Sequence, residues 1–382
     1  MNNKPKVFVG VSGGVDSSVS LALLQKQGFD VTGVFLKVWY PDFMPCDWKE
    51  ERLSAMRVCA TLGVPFETFD CEAEYKKEVV DYMIREYREG RVPNPDIFCN
   101  KYVKFGVFLK KALEMGADFI ATGHYARIRN SSKEILANVE KSQSSKDLIL
   151  DASYSLLEST DKDKDQSYFL YTLNQEQLSH TMFPVGGMTK PEVRKLAQDF
   201  GLPTATKKDS QGLCFMGNID IAEFLSHFID AKKGDVLNSN GEIIGFHKGS
   251  EFLTIGQRHG FTITKKSPED PRFFVIKKDL DRNTITVASK ESENDKVENI
   301  KGVTIKNLHF IQGLPLDSKG SPWNCSVRIR YRQEKRECVI EKQNDFYKIT
   351  FLELQDAISV GQSAVFYDDE TCLGGGIVES TF

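Results

Sequence analysis

The first 125 or so residues alternate short apolar runs with amphipathic helical patterns, and this rhythm constrains the fold more than any other feature. Apolar runs at 7–11, 31–38 and 66–69 predict strands. The helical patterns between them end at Gly28 and Gly63, where a helix C-terminus favours glycine. Regular alternation of this kind predicts a doubly wound parallel sheet with helices on both faces.

The remainder of the chain predicts two further parts. Residues from about 130 to 165 are polar and weakly patterned, and we interpret them as an inserted, mobile connection. After about residue 232, short β-rich runs separated by turns continue to the end, which is typical of a small all-β barrel. We therefore predict an α/β catalytic domain over 1–205, a small linking domain over 206–280 and a C-terminal β-barrel over 281–382.

Composition limits the compartment and the partners. No apolar run approaches the ~20 residues that cross a membrane, and the N-terminus leads directly into a strand-like run, so we expect a cytoplasmic protein. The net charge of −4 means that any nucleic-acid binding must come from local basic patches. Eight scattered cysteines without a CxxC pair argue against structural zinc and against a disulfide framework.

The strongest local signal is the sequence GVSGGVDSS at 10–18, between the first strand and the first helix. Gly13 and Gly14 allow backbone amides to approach an anion, and the helix N-terminus favours negative charge. Three serine hydroxyls are further donors, and Asp16 is a candidate magnesium ligand. The loop lacks the GxxxxGK[ST] lysine of kinases and GTPases. A lone Gly–Gly pair is often only a turn, but the hydroxyls and the carboxylate favour a phosphate site.

This loop resembles the PP-loop of the ATP pyrophosphatase superfamily, whose members cleave ATP between the α and β phosphates and adenylate a substrate. The resemblance implies an adenylating enzyme but does not identify the nucleophile. By that resemblance the loop residues that bind ATP are Gly10, Val11, Ser12, Gly13, Gly14, Val15, Asp16 and Ser17.

Two of the cysteines have unusual surroundings. Pro93 and Pro95 predict an extended approach, so Cys99 is expected near the start of the following helix, where the helix N-terminus and Lys101 favour a thiolate. Cys214 follows two lysines in a polar, glycine-containing stretch. We predict that both are reactive and that the other six are mostly buried and inert.

Five further motifs follow the loop in order: NPDxxCN at 94–100, TGHYA at 122–126, KDQSYFLY at 164–171, KDSxGxCF at 208–215 and GQSAVFY at 361–367. Together they closely resemble the tRNA-specific 2-thiouridylases of the MnmA type. The resemblance extends over nearly the whole chain and is weakest at about 129–161.

That resemblance implies an activity. ATP would adenylate the C2 oxygen of the wobble uridine in tRNAs for lysine, glutamate and glutamine, and sulfur would replace this oxygen. Cys214 would carry a persulfide from an upstream donor, either a sulfur-relay protein or a cysteine desulfurase. The terminal sulfur would attack the activated C2 carbon, directly or after release as sulfide. Cys99 would attack the persulfide and close a transient Cys99–Cys214 disulfide, which a reductant would reset.

The same resemblance assigns the remaining site residues. Asp96 is a candidate acid/base, and it would form the pocket of the target base with Asn94 and Pro95. Leu36 and Gly123 would line the nucleotide site. ATP and Mg²⁺ are the expected small-molecule partners, without an iron–sulfur cluster. Contacts to tRNA are implied for His124, Lys164, Asp165, Gln166, Arg330, Tyr331 and Gln362.

A second basic feature comes from the residues alone. Arg328, Arg330 and Arg332 alternate with apolar residues, which would place the three arginines on one face of a strand. Such a face suits phosphate contacts, although a solvent-exposed charged face is equally consistent with the pattern.

Three alternatives remain open at the level of sequence. A PP-loop synthetase that amidates a small molecule would need a source of ammonia, and the sequence resembles no glutaminase domain. An RNA-binding sulfur carrier without ATP chemistry would give Asp16 no role. A tRNA thiolase acting on C4 of uridine or on cytidine usually shows a different cysteine pattern or iron–sulfur ligands.

Overall fold

The computed structural model describes residues 4–44, 48–131, 153–209, 214, 217, 220–264, 272–289, 299–313 and 321–382. Cys46 and most of the predicted mobile connection, residues 132–152, lie outside these residues. None of the described helices is long and apolar enough to cross a membrane.

Five parallel strands form the first sheet in the order β3-β2-β1-β4-β7. Alternate residues of β1 point to opposite faces of the sheet. Val9 packs with the helices at residues 15–26 and 48–62, and Phe8 packs with the helices at residues 72–88 and 95–114. Two apolar cores therefore enclose the sheet, and the predicted doubly wound fold is confirmed. The strands are β1 (Lys6–Gly10), β2 (Asp30–Lys37), β3 (Phe66–Asp70), β4 (Phe119–Ala121) and β7 (Thr181–Met182).

The helices of the described residues include three continuous α-helices of ten or more residues, two helices with a π-helical segment and two short helices. They are α1 (Val15–Lys26), α2 (Trp48–Leu62), α3 (residues 72–88), α4 (residues 95–114), α5 (Gln175–Ser179), α6 (Lys190–Asp199) and α7 (Ile221–Ser226).

Helix α4 begins at Pro95, four residues before Cys99. Proline is favoured at the first position of a helix because that position needs no amide donor, and Asn94 provides the extended residue before it. The segment Cys99–Phe108 is π-helical, with hydrogen bonds that reach five residues along the chain. Cys99 therefore lies in the second turn of α4, inside the helix.

The C-terminal part is a closed antiparallel barrel. Six strands follow the order β13-β16-β15-β14-β17-β18, and the pairing of β13 with β18 closes the ring. The predicted C-terminal barrel is confirmed, and its strands are β13 (Ile300–Phe310), β14 (Trp323–Arg328), β15 (Arg336–Gln343), β16 (Phe346–Gln355), β17 (Ser363–Asp368) and β18 (Thr371–Thr381).

A hairpin from the first part of the chain extends the barrel sheet. Strands β5 (Ala126–Asn130) and β6 (Tyr154–Glu158) pair with each other, and β6 pairs with β18. Leu156 and Leu157 are buried, so the interpretation of all of 130–165 as a mobile connection is wrong for β6. The sequence pattern misses this strand because the partner that joins it to the barrel lies more than 200 residues away, at Thr371 and Cys372.

A separate five-stranded sheet lies between these two parts in sequence, in the order β10-β9-β8-β12-β11. Residues 284–288, which the sequence analysis grouped with the β-rich runs of the barrel, pair instead with β8 and β11. The strands of this sheet are β8 (Gly234–Leu237), β9 (Ile243–His247), β10 (Phe261–Ile263), β11 (Phe273–Asp279) and β12 (Thr284–Ser289).

Candidate active site

The phosphate loop lies where the strand order of the parallel sheet reverses. Strand β1 has β2 on one side and β4 on the other, and ligands of open α/β sheets bind beyond the carboxyl ends of the strands at such a point. The loop follows β1, and Gly123 follows β4. A Cβ atom on Gly123 would lie 2.6 Å from the backbone nitrogen of Ser17, so only glycine allows this close approach to the start of α1.

A cavity of about 680 Å³ extends from this loop, which is within the range of small-ligand sites. Gly13 is absent from its wall and instead turns the loop, with φ of +75°. The other predicted nucleotide-binding residues all line the cavity: Gly10, Val11, Ser12, Gly14, Val15, Asp16, Ser17, Leu36 and Gly123.

The Asp16 carboxylate is held by two groups that the sequence analysis missed. The Lys190 ammonium contacts both oxygens of Asp16, at 2.7 and 2.8 Å, and the Tyr125 hydroxyl donates to Oδ1 at 2.8 Å. Lys190 is only 8% exposed because it opens α6 against the phosphate loop. A lysine in the first turn of an amphipathic helix gives no sequence signal of such burial.

Lys190 also forms an ion pair with Asp209, at 2.9 Å. Asp209 forms two further ion pairs, with Lys164 at 2.8 Å and with Arg194 at 2.6 Å. Burial alone would raise the pKa of Asp209, but hydrogen bonds from Lys164 and Lys190 outweigh it and lower the pKa to about 2. This network joins the phosphate loop to the segment that leads toward Cys214.

The donor set fits a nucleotide better than it fits a metal ion. Glycine amides and serine hydroxyls at a helix N-terminus suit phosphate oxygens. Both oxygens of Asp16 already contact Lys190, so the carboxylate would have to leave Lys190 in order to coordinate Mg²⁺. Within the described part of the chain, no group of three or more His, Cys, Asp or Glu side chains could hold a metal ion.

Cys99 and Cys214 lie together at the wall of the cavity. Their sulfur atoms are 3.3 Å apart, with the Cys99 thiol donating to Cys214 Sγ, and both are free thiols. Cys214 lines the cavity, whereas Cys99 is fully buried behind it. The backbone of Cys214 is held on both sides, because its N–H donates to Asp96 Oδ1 at 2.9 Å and its carbonyl accepts from Tyr75 at 2.8 Å.

The two thiols differ in acidity. The hydrogen bond from Cys99 lowers the pKa of Cys214, and Lys104 lowers it further against the effect of burial. Burial and the hydrogen bond to Cys214 raise the pKa of Cys99 well above the ordinary thiol value. The predicted thiolate at Cys99 is therefore wrong for this state, and the cation involved is Lys104, since Lys101 lies over the ring of Tyr102.

The predicted base pocket and acid/base residue are only partly in the cavity. Asp96 lines it, and burial raises the pKa of its carboxyl despite the hydrogen bond from the Cys214 backbone. Asn94 and Pro95 form the start of α4. Asp96 is therefore the member of this group that faces both the cavity and the cysteines.

The predicted tRNA contacts divide into two groups. His124, Lys164, Gln166 and Tyr331 line the cavity. The others make contacts within the protein: Asp165 is buried against Arg328, Arg330 donates to the Ala357 carbonyl, and Gln362 donates to the Val92 carbonyl.

The predicted face of three arginines does not form. Strand β14 ends at Arg328, and Arg332 has φ of +63°, so the alternation of a strand stops between them. The Arg328 side chain is only 13% exposed, with Glu158 and Asp165 each 2.8 Å from its guanidinium group. Arg332 lines the cavity instead. A β-period argument fails here because the strand ends within the pattern.

The fold and the cavity define a class of enzyme, the ATP-using enzymes of the PP-loop type. The comparison with known proteins agrees with this class. Family models match three consecutive segments: the tRNA methyl transferase HUP domain at residues 5–218, the tRNA methyl transferase PRC-barrel domain at 222–289 and the aminomethyltransferase β-barrel domain at 300–378.

Curated relatives match over nearly the full length. The tRNA-specific 2-thiouridylase MnmA of Aliivibrio fischeri (strain MJ11) is 44% identical over 99% of this chain and 98% of its own. The MnmA of Francisella tularensis subsp. novicida is 42% identical over 99% of this chain and 100% of its own. The chain belongs to the MnmA family of tRNA-specific 2-thiouridylases.

Solved structures are more distant. A 4-thiouridine synthetase–RNA complex with bound ATP is 18% identical with a TM-score of 0.31, and the match covers 58% of this chain and 50% of that one. A similarity at this level is too low to inform the function.

Proposed function

We propose that the protein uses ATP to adenylate the C2 oxygen of the wobble uridine of tRNA and then replaces that oxygen with sulfur, giving 2-thiouridine, AMP and pyrophosphate. The observation that carries the proposal is that one cavity is lined both by the phosphate loop and by Cys214. Activation and sulfur delivery both act at C2 of the same base, so they require the two groups in one cavity.

ATP is proposed to bind with its phosphates on the loop at 10–17 and its adenosine toward Leu36 and Gly123. The uridine O2 attacks the α-phosphorus, the bond to the β-phosphate breaks, and pyrophosphate remains on the loop amides. The position of Lys190 supports the binding of phosphates at this loop, because Lys190 is a buried cation in contact with the Asp16 carboxylate. Any Mg²⁺ that takes part would be held mainly by the phosphates, with Asp16 released from Lys190.

Sulfur is proposed to arrive in two steps. The Cys214 thiolate attacks the terminal sulfur of a donor persulfide, takes that sulfur and leaves a donor thiolate. Cys99, after losing its proton to the Asp96 carboxylate, attacks the inner sulfur of the Cys214 persulfide, and hydrosulfide leaves. Hydrosulfide adds to the adenylated C2 carbon and expels AMP. The 3.3 Å separation of the two sulfurs supports a transient Cys99–Cys214 disulfide, which a thiol reductant then cleaves.

The finer assignments are also proposals. The substrates are the tRNAs for lysine, glutamate and glutamine, and the sulfur donor is a persulfide-carrying protein. Lys164, Lys208 and Arg332 line the cavity and suit contacts with the tRNA backbone around a splayed wobble base. The proposed compartment is the cytoplasm, where thiols are kept reduced.

The experiment is a nucleoside analysis by mass spectrometry after incubation of the protein with ATP, Mg²⁺, unmodified tRNA and a persulfide-loaded donor. We expect 2-thiouridine at the wobble position together with pyrophosphate release. Thiolation at C4 of uridine or on cytidine, or thiolation that does not need ATP, would overturn the proposal. Omitting tRNA is the control for uncoupled ATP cleavage.

A further inference from the structure

Lys104 is a cation that no step of the proposed function uses. It lies on α4 five residues after Cys99, within the π-helical segment. An α-helix brings together residues three or four apart, whereas hydrogen bonds spanning five residues bring Cys99 and Lys104 onto a common face. Gly106 accommodates this wide turn, because a Cβ atom there would lie only 3.0 Å from the Lys101 carbonyl oxygen.

The Lys104 side chain lines the same cavity as Cys214. Its ammonium lies 3.4 Å from His124 Nε2 and acts electrostatically on the sulfurs of both Cys214 and Cys99. The other ring nitrogen of His124 contacts Thr122 Oγ1 at 2.7 Å. Burial and the nearby ammonium lower the pKa of His124 well below its ordinary value, so the ring is neutral and accepts from Lys104.

We infer that Lys104 is a catalytic cation that stabilises anionic sulfur, first on Cys214 during persulfide loading and then on Cys99 during sulfur release. The inference rests on the proposed function for the order of these two steps. The geometry behind the inference does not depend on the order of the two steps. One ammonium lies in the same cavity wall as a pair of sulfurs that are 3.3 Å apart.

The charges explain why one cation serves both steps. Lys104 lowers the pKa of each thiol, whereas burial raises the pKa of each. Before loading, the anion is the Cys214 thiolate. Once Cys214 carries the outer sulfur as a persulfide, the electron pair of its former thiolate forms the new S–S bond, and the inner sulfur is no longer charged. The same ammonium then faces the Cys99 thiolate, whose electron pair forms the disulfide as hydrosulfide leaves with the pair of the broken bond.

Lys104 remains charged in this setting. Burial alone lowers the pKa of its ammonium, but the two cysteine sulfurs and Asp96 outweigh burial, and the pKa is raised. The titratable groups around Cys214 are Cys99, Lys104 and Asp96 on α4, Tyr75 on α3, and His124 through Lys104. Lys104 is the cation among these groups.

The test is the pH dependence of Cys214 alkylation by iodoacetamide in the full-length reduced protein, followed by peptide mass spectrometry. Replacing Lys104 by methionine keeps the length of the side chain and removes the charge. We expect Lys104→Met to shift the alkylation profile upward by roughly one to three pH units, with a roughly tenfold or greater loss of rate near neutral pH. Lys104→Arg should restore much of the wild-type profile.

The matched control is Lys101→Met, on the same helix, whose ammonium faces the Tyr102 ring. Its alkylation profile should coincide with that of the wild type. An unchanged profile in Lys104→Met would overturn the inference, as would an equal shift in Lys101→Met. Thermal unfolding verifies that each variant is folded, and Lys104→Gln replaces Lys104→Met in the same comparison if the latter is not.

Alkylation needs neither tRNA nor ATP, so this outcome is separate from that of the proposed function. Failure of the wild type to make 2-thiouridine would leave the Lys104 comparison intact. If the wild type does make it, Lys104→Met should keep tRNA-dependent pyrophosphate release and lose thiolation by roughly 100-fold. Loss of both activities together would contradict a role confined to sulfur.

Discussion

The described part of the chain contains two pairs of neighbouring cysteines, and their contrast shows what makes a thiol reactive. Cys99 and Cys214 have sulfurs 3.3 Å apart, and Cys325 and Cys338 have sulfurs 3.6 Å apart. The second pair lies opposite on β14 and β15 inside the barrel, and both of its members are buried. The sulfur–sulfur distance is therefore nearly the same in the cavity pair and in the barrel pair.

The surroundings of the two pairs differ in charge and access. The cavity pair faces Lys104, and the pKa of Cys214 is lowered. In the barrel pair, the hydrogen bond to Cys338 and burial raise the pKa of Cys325, and the charged neighbours that act on it are acidic. A close pair of sulfurs is thus not itself a reactive site, because an ammonium and an open cavity wall are also needed.

The largest contrast is expected from removing one sulfur of each pair. Cys214→Ser should lower thiolation from a persulfide donor by roughly 1,000-fold or more, because serine cannot hold a persulfide. Cys325→Ala should thiolate at nearly the wild-type rate. The measurement is the initial rate of 2-thiouridine formation, and full activity in Cys214→Ser would contradict the persulfide role of Cys214.

The next prediction separates the role of the cysteines from that of the phosphate loop. Asp16→Ala removes the loop carboxylate and one of the two carboxylate partners of the buried Lys190, and it should reduce tRNA-dependent pyrophosphate release by roughly 100-fold. The alkylation profile of Cys214 should stay unchanged. Asp199→Ala, at the exposed end of α6, is the control. A shift of the Cys214 profile in Asp16→Ala would mean that the loop, too, sets the acidity of this thiol.

Alkylation should also rank the two pairs. A lowered pKa gives Cys214 more thiolate than an ordinary thiol at every pH below the ordinary value, so iodoacetamide should label it first, roughly tenfold faster near neutral pH. Cys99, with its raised pKa, should be labelled later. Cys325 and Cys338 should be labelled only on unfolding. Labelling of the barrel pair in the native protein at the rate of Cys214 would remove the contrast.

The smallest effect concerns stability. Cys338→Ala removes one buried sulfur from the barrel core and should cost about 1 kcal/mol of unfolding free energy, measured by denaturant titration. Activity should not change. Loss of thiolation in this variant, without loss of stability, would indicate a functional role for the barrel pair.

The sequence predicts the parallel sheet well, because periodic apolar runs such as 31–38 report local burial. It also predicts the phosphate loop, since its residues are contiguous. Pairing between distant segments is invisible to such patterns, so they do not predict β6, which joins the barrel sheet by pairing with β18. The predicted boundaries at 205/206 and 280/281 stay predictions, and β11 pairs with β12 across the second.

The site was predicted where a motif surrounds the residue and missed where only the fold brings residues together. Cys99 and Cys214 are 115 residues apart in sequence and were paired by family resemblance alone. Lys190 and Lys104 look like surface lysines of amphipathic helices, and Lys104 is aligned with Cys99 only by π-helical winding. The sequence has no local signal for that winding, so Lys101 was chosen in its place.

The central claim is that one cavity activates the C2 oxygen and delivers sulfur to the same carbon. Transfer RNA carrying oxygen-18 at C2 of the wobble uridine tests this most directly, with AMP and nucleosides analysed by mass spectrometry after one turnover. The account predicts one labelled oxygen in AMP for each 2-thiouridine formed. Unlabelled AMP in equal amount to 2-thiouridine would show that the C2 oxygen was not adenylated and would contradict the account.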